Sequence, residues 1–332
     1  MIEVKNLCKR YGDHVAVDDL SFTIESGHVY GFLGPNGAGK STTMNIITGC
    51  LAATSGSVTI DGYDIYEDAQ EAKSRIGYLP EIPPLYQDMT VREYLMFVAK
   101  AKGVGHGAEW KDKKAVRQAI ENQLAAAMAV TQLEDVENRL IKNLSKGYKQ
   151  RVGIAQALLG GPEIIILDEP TVGLDPRQII EIRDLIRELG KEHTVILSSH
   201  ILSEVRSICD RLLIIAGGKL VAEDTPENLE AKYAPMTFEE IFLELTGEMS
   251  EEQVERIALG EATKIVAEPT EPVKVAETEQ ATAEEATEPV QPVVEAAAEP
   301  EVEVTAEEAV QPEATASEEV AAAEEEKEEV AE

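Results

Sequence analysis

A chain of 332 residues, 43% of them apolar, can bury the core of one large or two ordinary domains, while a formal net charge of −33 argues against a nucleic-acid partner. The charge is uneven: residues 251–332 hold 26 glutamates, no aspartate and four basic residues, and no aromatic follows Phe242. Cys8, Cys50 and Cys209 lie far apart without metal or redox spacing, and no run approaches the roughly 18–20 apolar residues of a membrane span.

In chain order, the charged start Met1-Ile-Glu-Val-Lys does not read as a secretory signal. Any membrane role is therefore expected from the cytoplasmic side, through a partner. Ile2–Leu7 and Leu20–Ile24 alternate as half-buried strands, and Val29–Leu33 is a more continuous apolar run that feeds a glycine-rich turn. A helix-forming run follows at Thr42–Thr48, then strands at Ser57–Ile60 and Arg75–Leu79. Thr90-Val91-Arg92-Glu93 is a capping box, predicting a helix to about Lys102. An alanine-rich helix from about Ala108 to Gln132 and further helices to Leu159 complete a helical insert over residues 85–155.

Strand and helix then alternate. Ile164–Leu167 precedes a helix Pro176–Leu189, and Thr194–Ser198 precedes a helix Ile201–Ile208. Arg211–Ala216 and Lys219–Val221 pair across Gly217-Gly218. This rhythm predicts an α/β fold on a largely parallel sheet. A second capping box, Thr237-Phe238-Glu239-Glu240, opens a last helix to about Leu245. Residues 263–332 are Glu, Ala, Val, Thr and Pro in loose repeats, a composition that predicts a disordered acidic tail.

Gly34-Pro35-Asn36-Gly37-Ala38-Gly39-Lys40-Ser41 fits G-x-x-x-x-G-K-[ST] between an apolar strand and a helix. In such a loop, glycines turn backbone amides onto phosphates at the positive end of the helix that Ser41 and Thr42 open. Lys40 supplies charge to the β- and γ-phosphates and Ser41 a hydroxyl to Mg²⁺. The plain alternative is a glycine-rich turn followed by a surface lysine. The buried-type strand at 164–167 ends in Asp168-Glu169, where ligands of open α/β sheets sit. On extended backbone the two carboxylates diverge, so Asp168 is expected on the metal and Glu169 on an attacking water. Capping or solvation alone is the plain reading of that pair.

Between these motifs, Leu144-Ser145-Lys146-Gly147-Tyr148-Lys149-Gln150-Arg151 resembles the LSGGQ signature of ABC (ATP-binding cassette) ATPases, with Lys146 and Tyr148-Lys149 as departures. Ser145 and Gly147 stand before a helix predicted at Lys149–Leu159. The resemblance implies that they reach the γ-phosphate held by a second cassette, two cassettes sandwiching two ATP molecules head to tail. It also implies that Tyr11 stacks on adenine, Asp175 of Gly173-Leu174-Asp175-Pro176 signals between sites, and His200 contacts the γ-phosphate. Glu81, after Ile76-Gly77-Tyr78-Leu79-Pro80, stands where most cassettes carry a glutamine that touches metal and water. His14, His28, His106 and His193 are read as surface residues.

The family resemblance covers residues 1–232 and implies a phosphate-loop NTPase cassette with a mixed β core and a helical subdomain. Residues 233–262 resemble the short helical C-terminal extension of single-cassette exporter ATPases. The implied protein is an ATPase using ATP and Mg²⁺, peripheral on the inner face of the membrane, with a second cassette as homodimer partner. It drives a separate multi-span permease, export being the implied direction, docked near Tyr78–Tyr86 and the helical insert. The rival is a soluble cassette ATPase of DNA repair or translation, disfavoured by the single phosphate loop and the acidity. A non-hydrolysing nucleotide sensor is disfavoured by Lys40, Asp168, Glu169 and His200 all being present.

Overall fold

The computed structural model describes residues 1–105 and 112–249. The tail expected at 263–332, residues 250–262 of the expected extension, and the start of the alanine-rich helix at Ala108 lie outside the described residues.

Strands β1 (Ile2–Tyr11), β2 (His14–Ile24) and β3 (Val29–Leu33) open the chain, and helix α1 (Lys40–Ile47) follows β3. Then come β4 (Ser55–Ile60), the two-residue β5 (Tyr63–Asp64), a short α2 (Ala69–Ser74) and β6 (Ile76–Leu79). Strands β2, β1, β4 and β5 pair antiparallel in that order. In β1 the alternation slips: Ile2, Val4 and Leu7 are buried, and the register shifts between Val4 and Leu7. Asn6, left-handed at φ 48°, takes up the extra residue, a conformation asparagine tolerates.

The helical insert contains α3 (Val91–Ala101), α4 (Lys113–Thr131) and α5 (Lys146–Leu158), with two short 3₁₀ turns before α5. Both halves of the Thr90–Glu93 capping box form. The first two amides of α3 instead donate to Arg139 and Glu137 carbonyls, so the chain leading to α5 satisfies donors the helix itself leaves open. Val91, Leu95, Ile120, Leu124, Val152 and Ala155 share one apolar core.

The remaining elements are β7 (Ile164–Asp168), α6 (Pro176–Leu189), β8 (Thr194–Ser199), α7 (Leu202–Ile208), β9 (Arg211–Ala216), β10 (Lys219–Asp224), α8 (Pro226–Lys232) and α9 (Phe238–Thr246). A six-stranded sheet runs β10-β9-β3-β8-β7-β6, parallel except for β10 against β9. Every residue of β3, β7 and β8 is buried, as expected of parallel strands covered on both faces. Alternate residues divide between two cores. Tyr30, Phe32, Ile164, Ile166 and Ile196 pack with α1 and the antiparallel sheet. Leu33, Ile165, Leu167, Val195 and Leu197 pack with α6, α7 and α9.

The registers pair Leu33 with Ser199, Ser198 with Asp168, and Leu167 with Leu79. The carboxyl ends of β3, β8, β7 and β6 therefore finish level and side by side, and the phosphate loop, His200, Asp168-Glu169 and Glu81 all emerge from that edge.

Candidate active site

The phosphate loop starts where β3 stops. A β-carbon on Gly34 would fall against the Ile215 carbonyl of β9, and one on Gly39 would strike the Ala16 carbonyl. Gly37 and Gly39 are left-handed, with φ 80° and 101°, a region closed to most side chains. No side chain caps α1, so the amides of its first turn are donors awaiting an anion at the positive helix end. Lys40 is buried, its ammonium donating to the carbonyls of Gly34 at 2.7 Å and Pro35 at 3.1 Å. Burial lowers its pKa, and the charges of Glu169 and Asp168 oppose that shift.

Asp168 ends β7 and is buried. Its Oδ1 accepts from Ser198 at 2.5 Å and lies 3.4 Å from the Ser41 hydroxyl. Ser41 and Asp168 thus present two oxygens to one point beside the loop. That donor set fits Mg²⁺, which takes oxygen ligands and shares its shell with substrate phosphates and water.

Glu169 does not continue the strand. Its backbone is left-handed at φ 49°, so the divergence expected from extended backbone is replaced by a turn that re-aims the side chain. The turn is held by the Glu169 N–H, which reaches the Ser198 hydroxyl at 2.9 Å and its carbonyl at 3.2 Å. A left-handed non-glycine residue costs on the order of 1 kcal/mol or more and persists where its surroundings fix it. The Glu169 side chain is 10% exposed, and its Oε2 accepts from His200 Nδ1 at 2.9 Å. That bond fixes the tautomer against an ionised carboxylate and leaves Nε2 for another partner.

A cleft of about 430 Å³ joins Tyr11, His14, Ala16, Asn36, Gly37, Gly39, Lys40, Ser41, Thr42, Glu81, Glu169, Val172 and His200. Gly34, Pro35, Ala38 and Asp168 are not among the residues that line it. Tyr11, 49% exposed, has the Lys9 ammonium 5.1 Å from its ring centre. His14, read as a surface residue, is exposed but also lines the cleft. The sequence carries the signal for this: the tight turn Gly12-Asp13 places His14 opposite Tyr11 in the β1–β2 register. Ser198 was also missed, because within an apolar strand it reads as sheet filling.

Ser145, Gly147 and Asp175 do not reach this cleft. Ser145 caps α5, accepting the Tyr148 N–H at 3.4 Å, and the helix begins at Lys146, three residues before its expected start. Asp175 caps α6, accepting from Gln178 at 3.0 Å. Gly147 and Asp175 instead line a second hollow of about 470 Å³ with Tyr148, Arg151 and Gln178. One chain therefore presents two separate hollows, one built on the phosphate loop and the other on the signature.

Residues 17–172 match the protein-family model described as ABC transporter. The chain is 40% identical over 234 residues to the bacitracin transport ATP-binding protein BcrA of Bacillus licheniformis, covering 70% of this chain and 72% of that protein. A solved ATP-binding subunit of an ABC transporter is 31% identical with a TM-score of 0.64, over 74% of this chain and 99% of that one. A dimeric post-hydrolysis structure of the ATP-binding cassette MJ0796, bound to ADP and Pi, is 28% identical with a TM-score of 0.58, over 68% and 98%.

Proposed function

The chain belongs to the ABC transporter family, whose cassettes are ATPases, and on that premise we propose that it powers transport, in the export direction, through a separate multi-span permease. It works as one of two identical cassettes on the cytoplasmic face of the membrane. The observation that carries this reading is the separation of the phosphate-loop cleft from the hollow lined by Gly147 and Asp175, two half-sites that a second copy would bring together.

Within each complete site the Lys40 ammonium leaves its two carbonyls for the β- and γ-phosphates, which also take the free amides of α1. Tyr11 offers its exposed ring to the adenine. Ser41 and Asp168 would hold Mg²⁺, with Glu81 as a further carboxylate beside them, and the ion bound there would neutralise phosphate charge. Glu169 orients and deprotonates the attacking water, steadied by His200 at 2.9 Å. Ser145 and Gly147 of the partner close the far side of the γ-phosphate, and Asp175 lies in the segment that joins the two sites.

The docking surface follows from exposure. Ile82 is 83% exposed, Tyr86 53% and Phe97 44%, and Tyr86 packs on Phe97 with ring centres 5.4 Å apart. These apolar groups, Ile82 and Tyr86 close after Glu81 and Phe97 on α3, suit a permease segment. No helix among the described residues is long and apolar enough to cross a membrane. The test is affinity purification of the tagged chain from detergent-solubilised cells. A stoichiometric multi-span membrane protein is expected, lost on changing Ile82 and Tyr86 to Asp; a soluble DNA-repair or ribosomal assembly in its place would overturn the reading.

A further inference from the structure

Two of the departures from the family motifs, Glu81 and Lys146, carry opposite charge. Glu81 adds a carboxylate to a cleft where Glu169 already faces a single lysine, Lys40. Lys146 adds a cation between Ser145 and Gly147, the residues placed on the partner's γ-phosphate. Resting on that sandwich reading, we propose that Lys146 of one cassette is a charge-compensating ligand of its partner's site, offsetting Glu81 beside the γ-phosphate.

Three observations support the assignment. Lys146 is exposed and, among the described residues, has no carboxylate within ion-pair distance. The first turn of α5 holds Lys146 and Lys149 and no acidic residue, although the positive end of a helix favours anions and disfavours cations. A lysine there without a carboxylate partner suits an anion arriving from outside. Finally, the Lys146 ammonium reaches the space beside Gly173 that a β-carbon there would take, a contact the flexible lysine tip can leave. Gly173 follows Val172, which lines the phosphate-loop cleft, so the lysine tip rests on the segment leading from Glu169 to Asp175.

The charge balance gives the reason for the pairing. Replacing a neutral glutamine by Glu81 adds one negative charge beside a nucleotide that stays anionic with Mg²⁺ bound, in a cleft that closure dries and where charges interact more strongly than in water. A cation delivered only on closure offsets that charge in the closed dimer and leaves the open monomer unaffected. The gain is in dimer closure, and it exists only while Glu81 is present.

The test titrates MgATP into the full-length chain carrying Glu169→Gln and follows dimer formation by light scattering. Lys146→Gly should raise the half-saturating ATP concentration about tenfold, a step of the size expected for one charge-assisted contact. Adding Glu81→Gln should bring it back to within about twofold of the parent, and Lys146→Arg should match the parent. A Lys146→Gly penalty of the same size with Gln as with Glu at position 81 overturns the pairing and leaves the sandwich standing. No ATP-dependent dimer in the parent chain overturns the sandwich reading, and the role of Lys146 with it.

Discussion

His200 Nδ1 stands 2.9 Å from Glu169 Oε2, although the two residues come from the ends of different strands. The contact exists because β7 and β8 finish level, Asp168 facing Ser198, and because Glu169 turns left-handed where the strand stops.

That turn gives a prediction in which stability and activity move oppositely. Glu169→Gly relieves the left-handed strain, and the expected outcome is a gain of about 0.5–1 kcal/mol in unfolding free energy. ATP turnover should fall at least about a hundredfold through loss of the base. Urea denaturation and a phosphate-release assay on the same preparation check both.

Lys40 is held by two carbonyls and desolvated before nucleotide arrives. Lys40→Ala should weaken ATP binding by about a hundredfold or more, the loss of a charged contact to two phosphates. Calorimetric titration with ATP measures it; unchanged affinity would remove the phosphate-loop assignment.

Ser198 donates to Asp168 and accepts from the Glu169 amide. In Ser198→Ala both partners lose a hydrogen bond inside the fold. The expected cost is about 1–3 kcal/mol of stability, together with a higher magnesium concentration for half-maximal turnover. Ser198→Thr, which keeps the hydroxyl, should restore the magnesium requirement.

Lys102 ends α3 and donates to the carbonyls of Gln156, Ala157 and Leu159 at the end of α5. Although the residue as a whole is exposed, enclosure of its ammonium pushes the pKa down to about 8, below the roughly 10.4 of a free lysine. Between those values the unfolded chain binds the extra proton, so the contribution of Lys102 to stability rises with pH and is smallest below pH 8. Wild type should therefore gain on Lys102→Met as the pH is raised from 7 to 9.5, read as the difference between their urea midpoints. A difference that stays constant or shrinks would contradict this.

Much of the cleft was legible in the sequence because its parts are local. Gly34–Ser41 is a contiguous backbone device, and Asp168-Glu169 announces itself at the end of an apolar run. What the sequence could not give was geometry that depends on neighbours. The turn at Glu169 is held from the next strand by Ser198, and the Glu169–His200 bond requires a strand register that only the folded sheet sets. Short elements were missed for a different reason: α2 is six residues with little apolar periodicity. Helix α8 was missed as well, although its signals are in the sequence: Thr225 caps it and Pro226 stands at its first position. The signature helix starts three residues earlier than expected because Ser145 itself is the cap.

The central claim is that two copies of this chain close around ATP and that Glu169 then hydrolyses it. The most direct measurement is the mass and nucleotide content of the Glu169→Gln chain isolated by size-exclusion chromatography after incubation with MgATP. The expected result is a dimer holding two ATP molecules per two chains, reverting to monomer when Lys40→Ala is added. A monomer carrying one ATP, or turnover equal to that of the unaltered chain, would contradict it.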